Sequence, residues 1–171
     1  MDIVKKAISH EEKTVFFFNK LNNSIYNRYL NKLFNFFIEE SKKHNITLQN
    51  IVNQKEYHLI YSDIYGIRKE FTDHMDNLSS NKNNKLILFL INEAINKKKE
   101  SQKFYLKKAN ELQDENIKKI FLGFADDEYN HFFLLEFILK SINITDNQYQ
   151  NNYQNKKIKS RKKEKVKQIY Y

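Results

Sequence analysis

The sequence predicts an all-α fold, a four-helix bundle made of two helical hairpins joined by a long crossover. Three observations carry that expectation: apolar residues recur at helical spacing, the chain repeats itself at an offset of 87 residues, and its 171 residues include no proline and two glycines. Tight-turned strand architectures need Gly, Pro and Asn-Gly pairs at their turns, and Gly66 and Gly123 cannot supply them.

Each helix follows from its stripe. Val4, Ala7, Ile8, Val15, Phe18 and Leu21 recur at i, i+3, i+4 and i+7, so residues 4–21 form the first helix. The stretch NNSIYN breaks the pattern, which resumes with Leu30, Leu33, Phe34, Phe37, Leu48 and Ile51. Sliding the chain by 87 positions aligns residues 4–51 with 91–138 without a gap, and 11 of those 48 pairs are identical. Among them are Phe34/Phe121, Phe37/Phe124, His44/His131 and Leu48/Leu135. The second hairpin therefore reuses the stripe, with Ile91, Ala94, Ile95 and Tyr105, then Ile117, Ile120, Phe121, Phe124, Leu135 and Ile138. Residues 52–86 are too long for a turn and contain a helical-looking stretch from Glu56 to Leu78, so they form the crossover. The triplet Phe16, Phe17 and Phe18 wraps most of a helical turn, which turns at least one ring toward the crossover or a second subunit.

Composition narrows the chemistry. Without cysteine this chain has no disulfide, thiolate zinc site, iron–sulfur cluster or cysteine nucleophile, so metal ligands must be His and carboxylate. The longest apolar run, LILFLI at 86–91, cannot span a bilayer, and the amphipathic, acidic start MDIVKKAISHEEK lacks the pattern of a secretory signal. A cytoplasmic protein without membrane insertion is expected. The formal charge of +9 is uneven: residues 147–171 hold eight Lys/Arg against one Glu, a net +7, and the remaining 22 basic and 20 acidic side chains leave residues 1–146 at +2. The predicted organisation is one bundle domain over residues 1–145 and a basic, flexible tail over 146–171. Nucleic acid or acidic lipid is the partner such a tail would take, but no basic motif or aromatic platform accompanies the charge, and a solvated extension is the preferred reading. Glycine-rich phosphate loops, Ser-His-Asp arrangements and zinc-finger spacings are absent from the sequence.

Polar residues interrupt the four stripes at matching depth. Glu11 stands between Ile8 and Val15 on the first helix, and its repeat partner is Lys98. The second helix offers Ser41 and His44, the fourth Glu128 and His131. Glu-x-x-His at i, i+3 puts a carboxylate and an imidazole on one face within reach of one ion, and that donor set suits iron, manganese or zinc.

These residues, in AISHEEKTVFFFNKL, LFNFFIEESKKH, AINKKKESQKFYLKKA and IFLGFADDEYNH, make residues 3–51 and 88–140 resemble the rubrerythrin branch of the ferritin-like superfamily. The resemblance implies a ferritin-like bundle in which the first and third helices each give a Glu, the second and fourth each give Glu-x-x-His, and six side chains hold two irons that reduce peroxide or oxygen. It also implies a homodimer and an electron donor, commonly a rubredoxin module; with no Cys in this chain, that donor would be separate. Glu11, His44, Glu128 and His131 match the ligand positions. Lys98 and Ser41 stand where two Glu are expected, and Glu40 and Glu100 lie about 100° and about 200° around their helices from those positions.

Three readings of the altered site follow. In the first, Glu11, His44 and Glu128, with His131 as a further or supporting ligand, hold one ion, and Lys98 replaces part of the second ion's charge and donates a proton or hydrogen bond to bound peroxide. In the second, no metal binds, and Lys98 balances Glu11 and Glu128 in a buried polar network. In the third, the protein is a scaffold acting through its tail and crossover, where His58, His74, Asp73 and Asp76 lie.

Overall fold

The computed structural model describes the backbone of residues 1–60, 62–73 and 84–169 and the side chains of 1–60, 62–73 and 85–142. Among the described residues there are five helices and no strand. They are α1 (Asp2–Asn23), α2 (Arg28–Val52), α3 (Ile64–Asp73), α4 (Asn84–Asn110) and α5 (Glu115–Ile169). Short connections at residues 24–27 and 111–114 make α1 and α2, and α4 and α5, antiparallel hairpins. The predicted ferritin-like bundle of two hairpins is the fold.

Turn chemistry without Gly or Pro falls to asparagine. Asn27 caps α2, accepting from the backbone N–H of Tyr29 at 3.1 Å and Leu30 at 3.0 Å, a cap of a kind that contributes about 1 kcal/mol. Asn31 donates to the Asn22 and Ile25 carbonyls at 2.8 and 3.2 Å, tying the loop to both helices.

Two apolar clusters fill the bundle. One contains Val4 and Ala7 at the start of α1, Leu48 and Ile51 at the end of α2, Tyr105 and Ala109 at the end of α4, and Phe121 and Phe124 at the start of α5. The other contains Phe18, Leu33, Phe34, Phe37, Ile91, Ala94, Leu135 and Ile138. Since the start of α1 meets the end of α4, those two helices also run antiparallel, as do α2 and α5. Every stripe passes from one cluster to the other, and a buried polar layer lies between them: Glu11 and Thr14 on α1, Ser41 and His44 on α2, Lys98 and Ser101 on α4, Glu128 and His131 on α5.

The described part of the crossover packs on its own bundle. Among the described crossover residues helix forms over Ile64–Asp73, and the chain before it, without regular secondary structure, lays Tyr57 and Leu59 against the first cluster. Leu59 fits over Gly123 so closely that a Cβ there would lie 2.4 Å from Leu59 Cδ2. Phe71 is buried in the second cluster, Lys32 pairs with Glu70 at 2.5 Å, and the Arg68 guanidinium lies 4.8 Å over the Phe137 ring. Of the three adjacent phenylalanines, Phe18 is core, Phe17 is half-buried and Phe16 is exposed. His58 is exposed beside Glu56, Asp73 ends α3, and His74 and Asp76 lie outside the described residues, as do all side chains of the basic tail.

Candidate metal centre

Helical periodicity brings Glu11, Ser41, His44, Lys98, Glu128 and His131 into the polar layer, and all six are buried. Glu11, His44 and Glu128 each present a ligand atom, and these three atoms lie within 4.8 Å of one another. His131 stands one step aside, its Nδ1 4.0 Å from Glu128 Oε1. Lys98 Nζ donates to Glu128 Oε1 at 3.1 Å and lies 3.0 Å from Oε2.

Each group has a counterpart fitted to its charge. The His44 ring donates from Nδ1 to Glu11 Oε1 at 3.2 Å and from Nε2 to Asp127 Oδ2 at 3.4 Å, and it stacks on Phe124 with centroids 4.0 Å apart. The Tyr105 hydroxyl donates a short hydrogen bond to the same Glu11 oxygen. The Lys98 ammonium lies 5.1 Å from the centroid of Phe18 and 4.8 Å from that of Phe37, so the negative faces of two rings turn toward a cation.

The electrostatics split the two histidines. Burial opposes charge on His44, but the hydrogen bonds from Asp127 and Glu11 and the negative charge around it outweigh burial and push the imidazole up to about 9. For His131, burial and then the Lys98 and His44 cations push the ring well below its usual range. Burial would raise Glu11, yet His44, Tyr105 and Lys98 together hold it down to about 2. Glu128 goes the other way: burial raises it and Glu11 adds to the rise, against the pull of Lys98. Tyr105, raised by burial and by Glu11, stays a neutral phenol.

A cation fits this donor set. Glu11 Oε2 and His131 Nδ1 are buried and find no hydrogen-bond partner among the described residues, and such orphaned groups cost about 1–3 kcal/mol each unless something satisfies them. Carboxylate and neutral imidazole are the ligands that iron, manganese and zinc share, and an ion bound here would displace the His44 proton from Nδ1. Ser41 Oγ is also buried and unpartnered.

Sequence reasoning missed three contributors. Asp127 lies just before the Glu-x-x-His pair and off the stripe, yet it is buried on His44; its offset-87 partner Glu40 is likewise buried, and paired acids at repeat positions were the available signal. Tyr105 reads as core from its stripe, although a hydroxyl opposite Phe18 marks it. Ser62, whose Oγ is 2.9 Å from His131 Nε2, belongs to a segment without periodicity. Glu40 and Glu100 stay out of the ligand cluster: Glu40 bonds Lys43 at 2.7 Å and Ser62, and Glu100 is 3.6 Å from Lys97.

The sequence model of the rubrerythrin family matches residues 2–139. No curated protein and no solved structure matches the chain.

Proposed function

Because the chain belongs to the rubrerythrin family, we propose that it binds one metal ion, iron first and manganese or zinc as alternatives, through Glu11, His44 and Glu128, and reduces peroxide or oxygen with electrons from a separate donor. The observation that carries the reading is the convergence of three ligand atoms from α1, α2 and α5 within 4.8 Å in a buried layer. Iron in this donor set would supply one-electron chemistry toward a bound oxidant.

The chain's own residues do the rest. Asp127 holds His44 through Nε2 and Tyr105 holds Glu11, which fixes two ligands before an ion arrives. His131 stands beside Glu128 as a further ligand. Phe18, Phe37 and Phe124 exclude water from the layer, so the interactions inside it act in a low dielectric. Lys98 brings the positive charge that a second ion would bring in a six-ligand centre, and its ammonium is the hydrogen-bond donor and proton source nearest Glu128.

Metal analysis of the purified protein tests this. One equivalent of iron, manganese or zinc per chain, lost in His44→Ala and in Glu128→Ala, is expected. The competing reading is a metal-free protein in which the network is purely structural, and the Lys98–Glu128 pair favours it, since a metal-free Glu128 already has its counter-charge. A protein that refuses iron, manganese and zinc at equilibrium would establish that reading instead.

A further inference from the structure

Ser62 reaches the polar layer from the crossover, two residues ahead of α3. Its hydroxyl lies 2.9 Å from His131 Nε2 and donates a short hydrogen bond to Glu40 Oε2. The other Glu40 oxygen accepts from Lys43 Nζ at 2.7 Å.

Proton counting fixes the direction of this chain. A serine hydroxyl has one proton to give, and a carboxylate paired with an ammonium only accepts. The Ser62 proton therefore goes to Glu40, and Ser62 must accept from His131. That requires the proton of His131 to sit on Nε2, leaving the lone pair on Nδ1. Nδ1 is the atom 4.0 Å from Glu128 Oε1, buried and unpartnered among the described residues.

We propose that Ser62 is a positioning residue: with Glu40 it locks His131 in the Nε2–H tautomer and aims the Nδ1 lone pair at the ion beside Glu128. The inference rests on the one-metal reading for the ion alone, because the tautomer is a property of the metal-free chain. The two halves of the repeat make the case. His44 meets the carboxylate of Asp127 directly, at 3.4 Å. Glu40 is the offset-87 partner of Asp127, and on that side a serine from outside the repeat spans the gap to His131. Both imidazoles thus present Nδ1 to the centre and Nε2 to an acid, the second through a borrowed hydroxyl.

Ser62 is placed by anchors on both sides. Leu59, three residues earlier, seats over Gly123, and Thr47 Oγ1 donates to the His58 carbonyl at 3.3 Å. After it, Phe71 and the Lys32–Glu70 pair hold α3.

The test is a long-range proton–nitrogen NMR correlation on the full chain, metal-free and labelled in histidine. His131 is expected to show a protonated Nε2 and a bare Nδ1. Ser62→Ala should mix the tautomers and weaken zinc binding by roughly 10- to 100-fold, while Ser62→Thr, which keeps the hydroxyl, restores both. Glu40→Gln is the sharper variant: with its oxygen held by Lys43, the amide nitrogen faces Ser62, the hydroxyl turns to donate to Nε2, and His131 should shift toward Nδ1–H. A protonated Nδ1 in the parent protein, or a tautomer indifferent to Ser62→Ala and Glu40→Gln, would overturn the proposal whether or not zinc binds. A Ser62-dependent tautomer in a protein that takes up no zinc, iron or manganese would uphold the positioning role and defeat the one-metal reading.

Discussion

Helices α1 and α4 are related by the 87-residue offset and yet set opposite charges in the polar layer. In one half, Glu11 from α1 accepts from the Tyr105 hydroxyl; in the other, Lys98 from α4 faces the Phe18 ring. These are repeat partners on both sides, Glu11 with Lys98 and Phe18 with Tyr105. An anion has been given a donor and a cation has been given a π face. The packing shell around them is unchanged in kind, with Phe34/Phe121, Phe37/Phe124, Leu48/Leu135 and Ile51/Ile138 identical and buried in both halves. The bundle therefore separates scaffold from chemistry: apolar pairs fix where the layer sits, and exchanged polar residues decide what it holds.

The strongest way to break the contrast is Lys98→Ala. It removes the ammonium paired with the buried Glu128, and breaking a buried ion pair costs about 3–5 kcal/mol; urea unfolding of the metal-free protein should show a loss of that size. Lys98→Met, which removes the charge but keeps the volume, will lose as much only if the counter-charge, and not packing, is what matters. Next comes His44→Ala, expected to weaken zinc or iron binding by at least roughly 100-fold, measured by competition with a chelator; a loss no larger than that of a surface histidine such as His58→Ala would remove His44 from the ligand set. Tyr105→Phe makes the aromatic pair identical in both halves. Losing a hydrogen bond to a charged group should cost about 1.5–3 kcal/mol, and a stability equal to the parent's would mean the hydroxyl is idle.

The contrast also shows in pH dependence, which separates the two histidines by sign. His44, raised to about 9 from 6.5, holds a proton that the unfolded chain has released, so its contribution is complete below 6.5 and fades as pH climbs through about 9. His131 is depressed, so the unfolded chain takes the proton first, and stability falls as pH drops below 6.5. Midpoints of unfolding for the metal-free protein should lose their alkaline slope in His44→Gln and their near-neutral acid slope in His131→Gln. Matching slopes in both variants would mean the two rings share one environment.

The helices and six of the polar-layer residues were legible because a 3.6-residue period maps sequence position onto a face, and an 87-residue offset maps one hairpin onto the other. Glu11, Lys98, Ser41 and the two histidines all sit on such positions. What periodicity could not deliver is what comes from beside it. Asp127 and Glu40 lie next to stripe positions, and their burial depends on how closely α2 and α5 approach. Ser62 sits in a segment whose path is set by Leu59 meeting Gly123, a contact between residues far apart in the chain. The end of α2 shows the same limit: Gln54 takes a left-handed φ of 53° there, with no glycine to mark the position.

The ammonium seated between Phe18 and Phe37 also constrains the order in which substitutions can accumulate. Exchanging Lys98 for a glutamate by itself would crowd a third carboxylate against Glu11 and Glu128 with the His44 imidazolium as their remaining counter-charge, and adding a glutamate at Ser41 first would set another acid in the layer while the lysine still occupies the space. Each single step toward a symmetric six-ligand centre passes through a less stable protein unless ions are abundant at that moment. A chain carrying this lysine is held on its side of a valley, and reaching a six-ligand centre requires both changes together or a cell rich enough in metal to bridge the intermediate.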